Sequence, residues 1–226
     1  MHIEEGVVEG AKIILSYATA VGSIVVAGKL ALDTIRRDGG VGALAIRSLI
    51  ATALVFCFFE ILPTFPVGVS EVHFILGSTL FLLFGAGPAA IGLVAGLLIQ
   101  GLFFAPFDLP QYGMNVTTLL VPLFLVAEIA KRIIAPKTPY VDLKYGQALA
   151  LSTAYQGGVV AWVAFWALYG HGFSAENLAS IGSFGAAYML VIVLEPLVDL
   201  AVLAGAKAMR ALSQSAAFQP RLHQAA

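Results

Sequence analysis

The chain has 226 residues, 60% of them hydrophobic and only 11% charged, with a mean hydropathy of +0.94. Soluble domains carry about a quarter charged residues, so this composition excludes an ordinary soluble fold and points to an integral membrane protein. A formal net charge of −1 offers nothing to nucleic acid, and the single Cys57 excludes a disulfide framework and a cysteine zinc site.

Seven apolar stretches follow one another along the chain. The first, 11–32, is too long for a signal-peptide core and lacks a basic leader, so it is expected to be a retained helix. The second covers 42–62. The third and fourth, 73–86 and 88–105, are separated only by "GAGP" around Pro88, which predicts a tight hairpin of two short helices. The fifth, sixth and seventh cover 113–133, 146–169 and 182–207. A bilayer-crossing helix needs roughly 20 apolar residues, fewer where neighbours bury its ends. The alternation of a membrane β-barrel is absent. The expected fold is therefore all-α and polytopic, with about seven transmembrane helices. Residues 1–210 form a single integral membrane domain, and 211–226 form a short cytoplasmic tail.

Lys and Arg set the orientation. Arg36 and Arg37 lie between the first two stretches, flanked by Lys29 and Arg47. Lys131, Arg132, Lys137 and Lys144 surround the fifth connection, and Lys207, Arg210 and Arg221 follow the seventh stretch. The loops 63–72, 106–112 and 170–181 contain neither residue. The positive-inside rule places the C-terminus in the cytoplasm and Met1 outside, with Lys12 as the exception.

The opening "MHI" carries chemistry of its own. A free α-amine has a pKa of about 7.7–8.0 and can give up its proton near neutrality. The Met1 amine, the His2 backbone nitrogen and the His2 imidazole can close two small chelate rings around one metal. Three coplanar nitrogens favour Ni(II) or Cu(II), with Co(II) also suited. His73, in "VSEVHFILG" at the outer end of the third stretch, is the candidate fourth donor. A buried imidazole among apolar neighbours needs a partner. His171, in "YGHGFS", is a candidate capture residue whose favoured reading is a solvated loop histidine, and nothing is assigned to His223.

Glu195 and Asp199, in "VLEPLVDL", are spaced by four and share one helical face. An ionised group at mid-bilayer costs about 2.5–3.5 kcal/mol on insertion scales, so each needs a partner, with Arg47 the candidate counter-charge. A structural ion pair is the favoured reading of this face, over a docking side for a partner subunit. Pro196 is expected to kink the same helix. Glu60 and Glu71 lie near the outer mouth, and Gln100 and Gln156 read as interhelical hydrogen-bond formers. Gly92 and Gly96 form a GxxxG that allows close helix contact.

"MHIxxG" at the start, "VHFILG", "GAGP" and "GMNV" together resemble the CbiM/NikM family, the substrate-binding membrane components of energy-coupling factor transporters for cobalt and nickel. The resemblance covers nearly the whole chain. It implies Met1, His2 and His73 as metal ligands and Co2+ or Ni2+ as transported substrate. It gives Asn115 a supporting or loop-ordering role, against its alternative as a helix cap, and Glu71 stands beside it as a second supporting candidate. Glu4-Glu5 replaces the family's usual Pro-Asp. The implied partners are a transmembrane coupling subunit (CbiQ/NikQ-like), two cytoplasmic ATP-binding subunits (CbiO/NikO-like) and a small accessory membrane subunit, in the inner (plasma) membrane of a prokaryote. No "GxxxxGK[ST]" occurs here, so ATP hydrolysis is expected in the partners and this chain is not expected to be an enzyme. An intramembrane hydrolase fails for want of GxSxG or HExxH. The alternative transport reading is a proton-coupled carrier using Glu195 and Asp199, for which the expected inverted repeat is missing.

Overall fold

The computed structural model describes Ile3 and residues 6–213, with side chains through Arg210. After a 3-10 turn at Gly10–Lys12, α1 runs over Ile13–Arg37. It ends on Arg36 and Arg37, whose charges suit the carbonyl end of a helix. Gly39, at φ +93°, turns the chain into α2, Gly40–Glu60. Left-handed backbone at this point is available to glycine at little cost.

A hairpin follows where the sequence predicts only a loop. Strands β1, Phe65–Val67, and β2, Ser70–Val72, pair antiparallel with Val67 opposite Ser70. Gly68 opens the two-residue loop at φ +64°, the sign that a II′ connection requires. A Cβ on Gly68 would meet the Ser180 carbonyl at 2.2 Å, so the hairpin lies hard against the first turns of the last helix.

Helix α3 is only Gly77–Phe84, eight residues or about 12 Å, too short to cross a bilayer. The expected third stretch, 73–86, is instead residues 73–76 without regular structure followed by α3. The apolar sequence alone could not locate this boundary, because "FILGSTLFLLF" is hydrophobic on both sides of it. Gly85, at φ +89°, then turns the chain beside Asp38 into α4, Ala86–Phe103. The expected hairpin is present, but its second arm is a full-length helix. Among the described residues, six helical segments are long and apolar enough to span a membrane, and α3 is a seventh, shorter helix.

Helices α5 (Tyr112–Ile133), α6 (Tyr145–His171) and α7 (Ala175–Ser213) complete the bundle. α5 is the most enclosed, packed by α1, α4 and α6. α2 packs on α4, where Gly92 and Gly96 do what their spacing predicts. Cβ atoms there would meet Ala51 Cβ at 2.5 Å and Val55 Cγ1 at 2.6 Å. α3 is wedged among α4, α5, α6 and α7. α7 has 39 residues, about 58 Å, and continues through Pro196 without a break. Ile14, Val21 and Val25 on α1, Leu49 on α2, and Leu190, Val193 and Leu197 on α7 face outward. In a bilayer such apolar side chains suit a lipid-facing surface.

The two ends differ in charge. Among the described residues only Lys12 lies at the end formed by the hairpin, the start of α5 and the α6–α7 turn. The other described Lys and Arg residues belong to the opposite half of the bundle. Lys12 has a specific task there: Nζ donates to the Gly170 carbonyl at 2.7 Å, closing the C-terminal end of α6. At the other end, Lys207 donates to the Leu143 carbonyl at 2.7 Å, and Arg210 pairs with Asp142 at 2.6 Å.

Candidate metal centre

Met1, His2, Glu4 and Glu5 lie outside the described residues, as do Arg221 and His223. The described residue next to Met1 and His2 is Ile3. The Ile3 side chain is buried at 1% exposure. Its backbone N–H donates to Asn115 Oδ1 at 2.9 Å, and it forms an antiparallel bridge with Ser70. Asn115 lies inside the first turn of α5, so it is not that helix's cap; its amide oxygen holds the N-terminal segment instead.

Residues 6–8 continue as a strap. Gly6 is at φ +83°, and its carbonyl lies 2.9 Å from His171 Nε2, which therefore donates to it. His171 is exposed, as expected, but it latches the strap rather than standing alone in solvent. Val7 and Val8 are buried at 5% and 2% exposure. The Val7 carbonyl would lie 1.6 Å from a Cβ on Gly170. Only glycine at 170 lets the strap backbone sit on the end of α6. Replacing it with alanine forces the strap off at a cost of about 1–3 kcal/mol. Gly170→Ala is expected to speed proteolytic cleavage in the N-terminal segment while the helices resist as before. Unchanged cleavage would show that the strap does not rest on this residue.

His73 follows β2 directly. Its imidazole is 2% exposed, and Nε2 lies 2.8 Å from Glu71 Oε2. The ring packs beside Phe59, with centroids 5.0 Å apart. A carboxylate partner of this kind fixes ring orientation and tautomer and raises ligand basicity. With the Nε2 proton committed to Glu71, the lone pair a metal would take resides on Nδ1. The structure thus brings Ile3, Asn115, Ser70, Glu71 and His73 into one neighbourhood.

Glu195 and Asp199 are corrected from their expected partner. Arg47 binds Asp38 through Nη1 at 2.5 Å, at the charged end of the bundle. Glu195, fully buried, accepts from the backbone N–H groups of Ile75 and Leu76 and from Gln156 Nε2. Asp199 accepts from Ser78 Oγ at 2.5 Å and from Thr79 Oγ1. Both carboxylates serve the start of α3, where orphan donors need acceptors that a membrane does not supply. Gln156 is an interhelical hydrogen-bond former, as its sequence position suggests. Its partner Glu195 was not predictable from local pattern.

Two solved structures share this architecture. A structure described as a truncated transition metal transporter superposes with a TM-score of 0.70 at 19% identity, covering 90% of this chain and 97% of that one. Another, described as a transition metal transporter, gives 0.69 at 18% identity, covering 99% and 100%. At these identities the likeness establishes the fold. No curated protein matches. A family model described as CbiM, cobalt uptake substrate-specific transmembrane region, matches residues 2–212.

Proposed function

The chain belongs to the CbiM family of cobalt-uptake substrate-specific membrane regions, and from that premise we propose that it captures Co2+ or Ni2+ with Met1, His2 and His73. It is a multi-pass membrane component of metal transport, and a metal ion is its substrate. The ligand set in this reading is the Met1 amine, the His2 amide nitrogen, the His2 imidazole and the His73 imidazole. The observation that carries it is the anchoring of Ile3 by Asn115 and Ser70. Ile3 is bonded directly to His2, and Ser70 is three residues from His73, which supports joining the two halves of the ligand set in this reading. Asn115 then acts as the tether of the chelating segment, and Glu71 as the group that orients His73.

The charge asymmetry of the two ends supports the positive-inside orientation, with the strap outside and the C-terminal end of α7 in the cytoplasm. The family premise supports an ATP-driven complex with a CbiQ/NikQ-like coupling subunit, two CbiO/NikO-like ATP-binding subunits and a small accessory subunit, in a prokaryotic inner membrane. The donors that occupy Glu195 and Asp199 favour a structural role for these carboxylates over proton coupling.

Equilibrium binding of Ni2+ and Co2+ to purified full-length protein with a free Met1 amine tests the proposal. Four nitrogen donors predict a strong ligand field and release of protons on binding. The unfavourable states are the protonated imidazole and amine, so affinity rises with pH. It is expected to weaken progressively below the unperturbed values of about 6.5 and about 7.7–8.0. Titrations at a series of pH values give the measurement. An affinity that stays flat from the acid side of the histidine range to the alkaline side of the amine range would point to carboxylate ligation and reject the nitrogen set.

A further inference from the structure

We propose that Glu195 is a positioning residue for His73, holding the segment that carries this ligand from the far side of the bundle. The inference rests on the metal-site reading given above. Residues 73–76 join β2 to α3 without regular structure. Leu76 sits at φ +52°, a left-handed conformation that a leucine adopts only when its surroundings impose it. The two Glu195 oxygens impose it. One accepts the Ile75 N–H and the other accepts the Leu76 N–H at 3.1 Å. Both peptide planes are thereby fixed two and three residues beyond His73.

Glu195 is itself fixed. Gln156 Nε2 donates to it, and Gln156 Oε1 accepts from Tyr188 Oη at 2.9 Å. Glu195, Gln156 and Tyr188 are all fully buried. Tyr155, also fully buried, closes the remaining side, because a Cβ on Gly77 would lie 2.1 Å from its ring. The His73 backbone is therefore set on one side by the hairpin and on the other by a hydrogen-bonded chain from α6 and α7. Asp199 grips α3 one turn further on, through Ser78 and Thr79. The two carboxylates divide the work: Asp199 secures the helix, while Glu195 secures the segment leading into it.

This division supplies the control. In Glu195→Gln an amide N–H₂ must face either a backbone N–H or Gln156 Nε2, so the segment loosens while Asp199 still holds α3. Asp199→Asn disturbs the first turn of α3 and leaves the Ile75 and Leu76 acceptors in place. The swapped pair Glu195→Gln with Gln156→Glu restores donor–acceptor complementarity between the two side chains and keeps one acceptor for the Ile75 N–H, but leaves the Leu76 N–H facing the new amide N–H₂, so it relieves the mismatch only in part.

The readouts are the ligand-field absorption of bound Ni2+, its dissociation rate into a chelator, and amide exchange of residues 73–77 in the metal-free protein. Glu195→Gln is expected to speed Ni2+ loss by about 10–100-fold, the range seen when the support of a ligand is removed. It should also alter the absorption band and raise exchange at 73–77. Asp199→Asn should lower thermal stability with a native band and a native dissociation rate, and the swapped pair should bring band and rate part of the way from Glu195→Gln back to wild type. The inference is overturned by a native band, rate and exchange pattern in Glu195→Gln. Identical spectral changes in Asp199→Asn, or a stably folded swapped pair no closer to wild type than Glu195→Gln, would also overturn it. Should Glu195→Gln fail to insert, the swapped pair and Asp199→Asn carry the comparison. Absence of Ni2+ binding by the unaltered protein would reject the metal site itself, and amide exchange would still decide whether Glu195 holds the segment.

Discussion

His73→Ala is expected to abolish tight binding and uptake of the metal while the protein still inserts and folds. The ring is buried between Phe59 and Glu71, and in the proposed site it supplies one of four in-plane nitrogens. Three nitrogens from one end of the chain would leave the plane open to water. The loss should exceed the 10–100-fold that follows removal of a partner behind a ligand, so more than about 100-fold is expected. The structural cost is smaller: truncating one buried side chain typically costs about 0.5–3 kcal/mol. Glu71→Gln provides the graded comparison. It keeps a side chain beside Nε2 but exchanges a charged acceptor for a weaker one, so its effect should fall within the 10–100-fold range. Metal content of purified protein and uptake in the assembled complex measure both variants. Normal uptake by His73→Ala in a complete complex would remove this residue from the site.

The helical fold was legible because length and hydropathy encode it. A run such as "AWVAFWALYG" has one stable option in a bilayer, which is to satisfy its backbone internally. What was not legible depends on distant partners. The start of α3 is written less in "HFILGSTL" than in Glu195 and Asp199, about 120 positions away. Likewise "MHI" reads as a candidate chelate, but the anchoring of its Ile3 depends on Asn115, 112 positions away. Gly170 looks like an ordinary loop glycine until the Val7 carbonyl lies across it. The hairpin at 65–72 left a fainter trace, a glycine between short β-branched segments, too short to stand out. Local pattern fixes which residues lie in the membrane, while pairwise contacts fix how the candidate ligands are presented.

Blocking the Met1 amine is expected to be as damaging as losing His73. If the amine is a ligand, the chain must begin at Met1 with nothing attached, and mass spectrometry of the purified protein establishes that condition first. An N-terminal tag leaves both histidines in place but turns the amine into an amide, which is a far poorer donor. Acetylation does the same with little added bulk, so it separates the loss of a donor from the crowding that a tag brings near the strap. Inserting one alanine between Met1 and His2 keeps a free amine but enlarges the chelate and displaces His2 relative to Ile3, which Asn115 and Ser70 hold. That variant also needs its mass checked, because a small second residue invites removal of the methionine. A site built from the two histidines alone would tolerate all three changes. The amine-containing site tolerates none, and each should lose more than about 100-fold in affinity, comparable to loss of a ligand rather than of a supporting group. A C-terminal tag, beyond the far end of α7, should leave binding intact. Metal content and uptake of N-tagged, acetylated and C-tagged protein decide the matter, and full metal retention by the acetylated chain would reduce the site to its histidines.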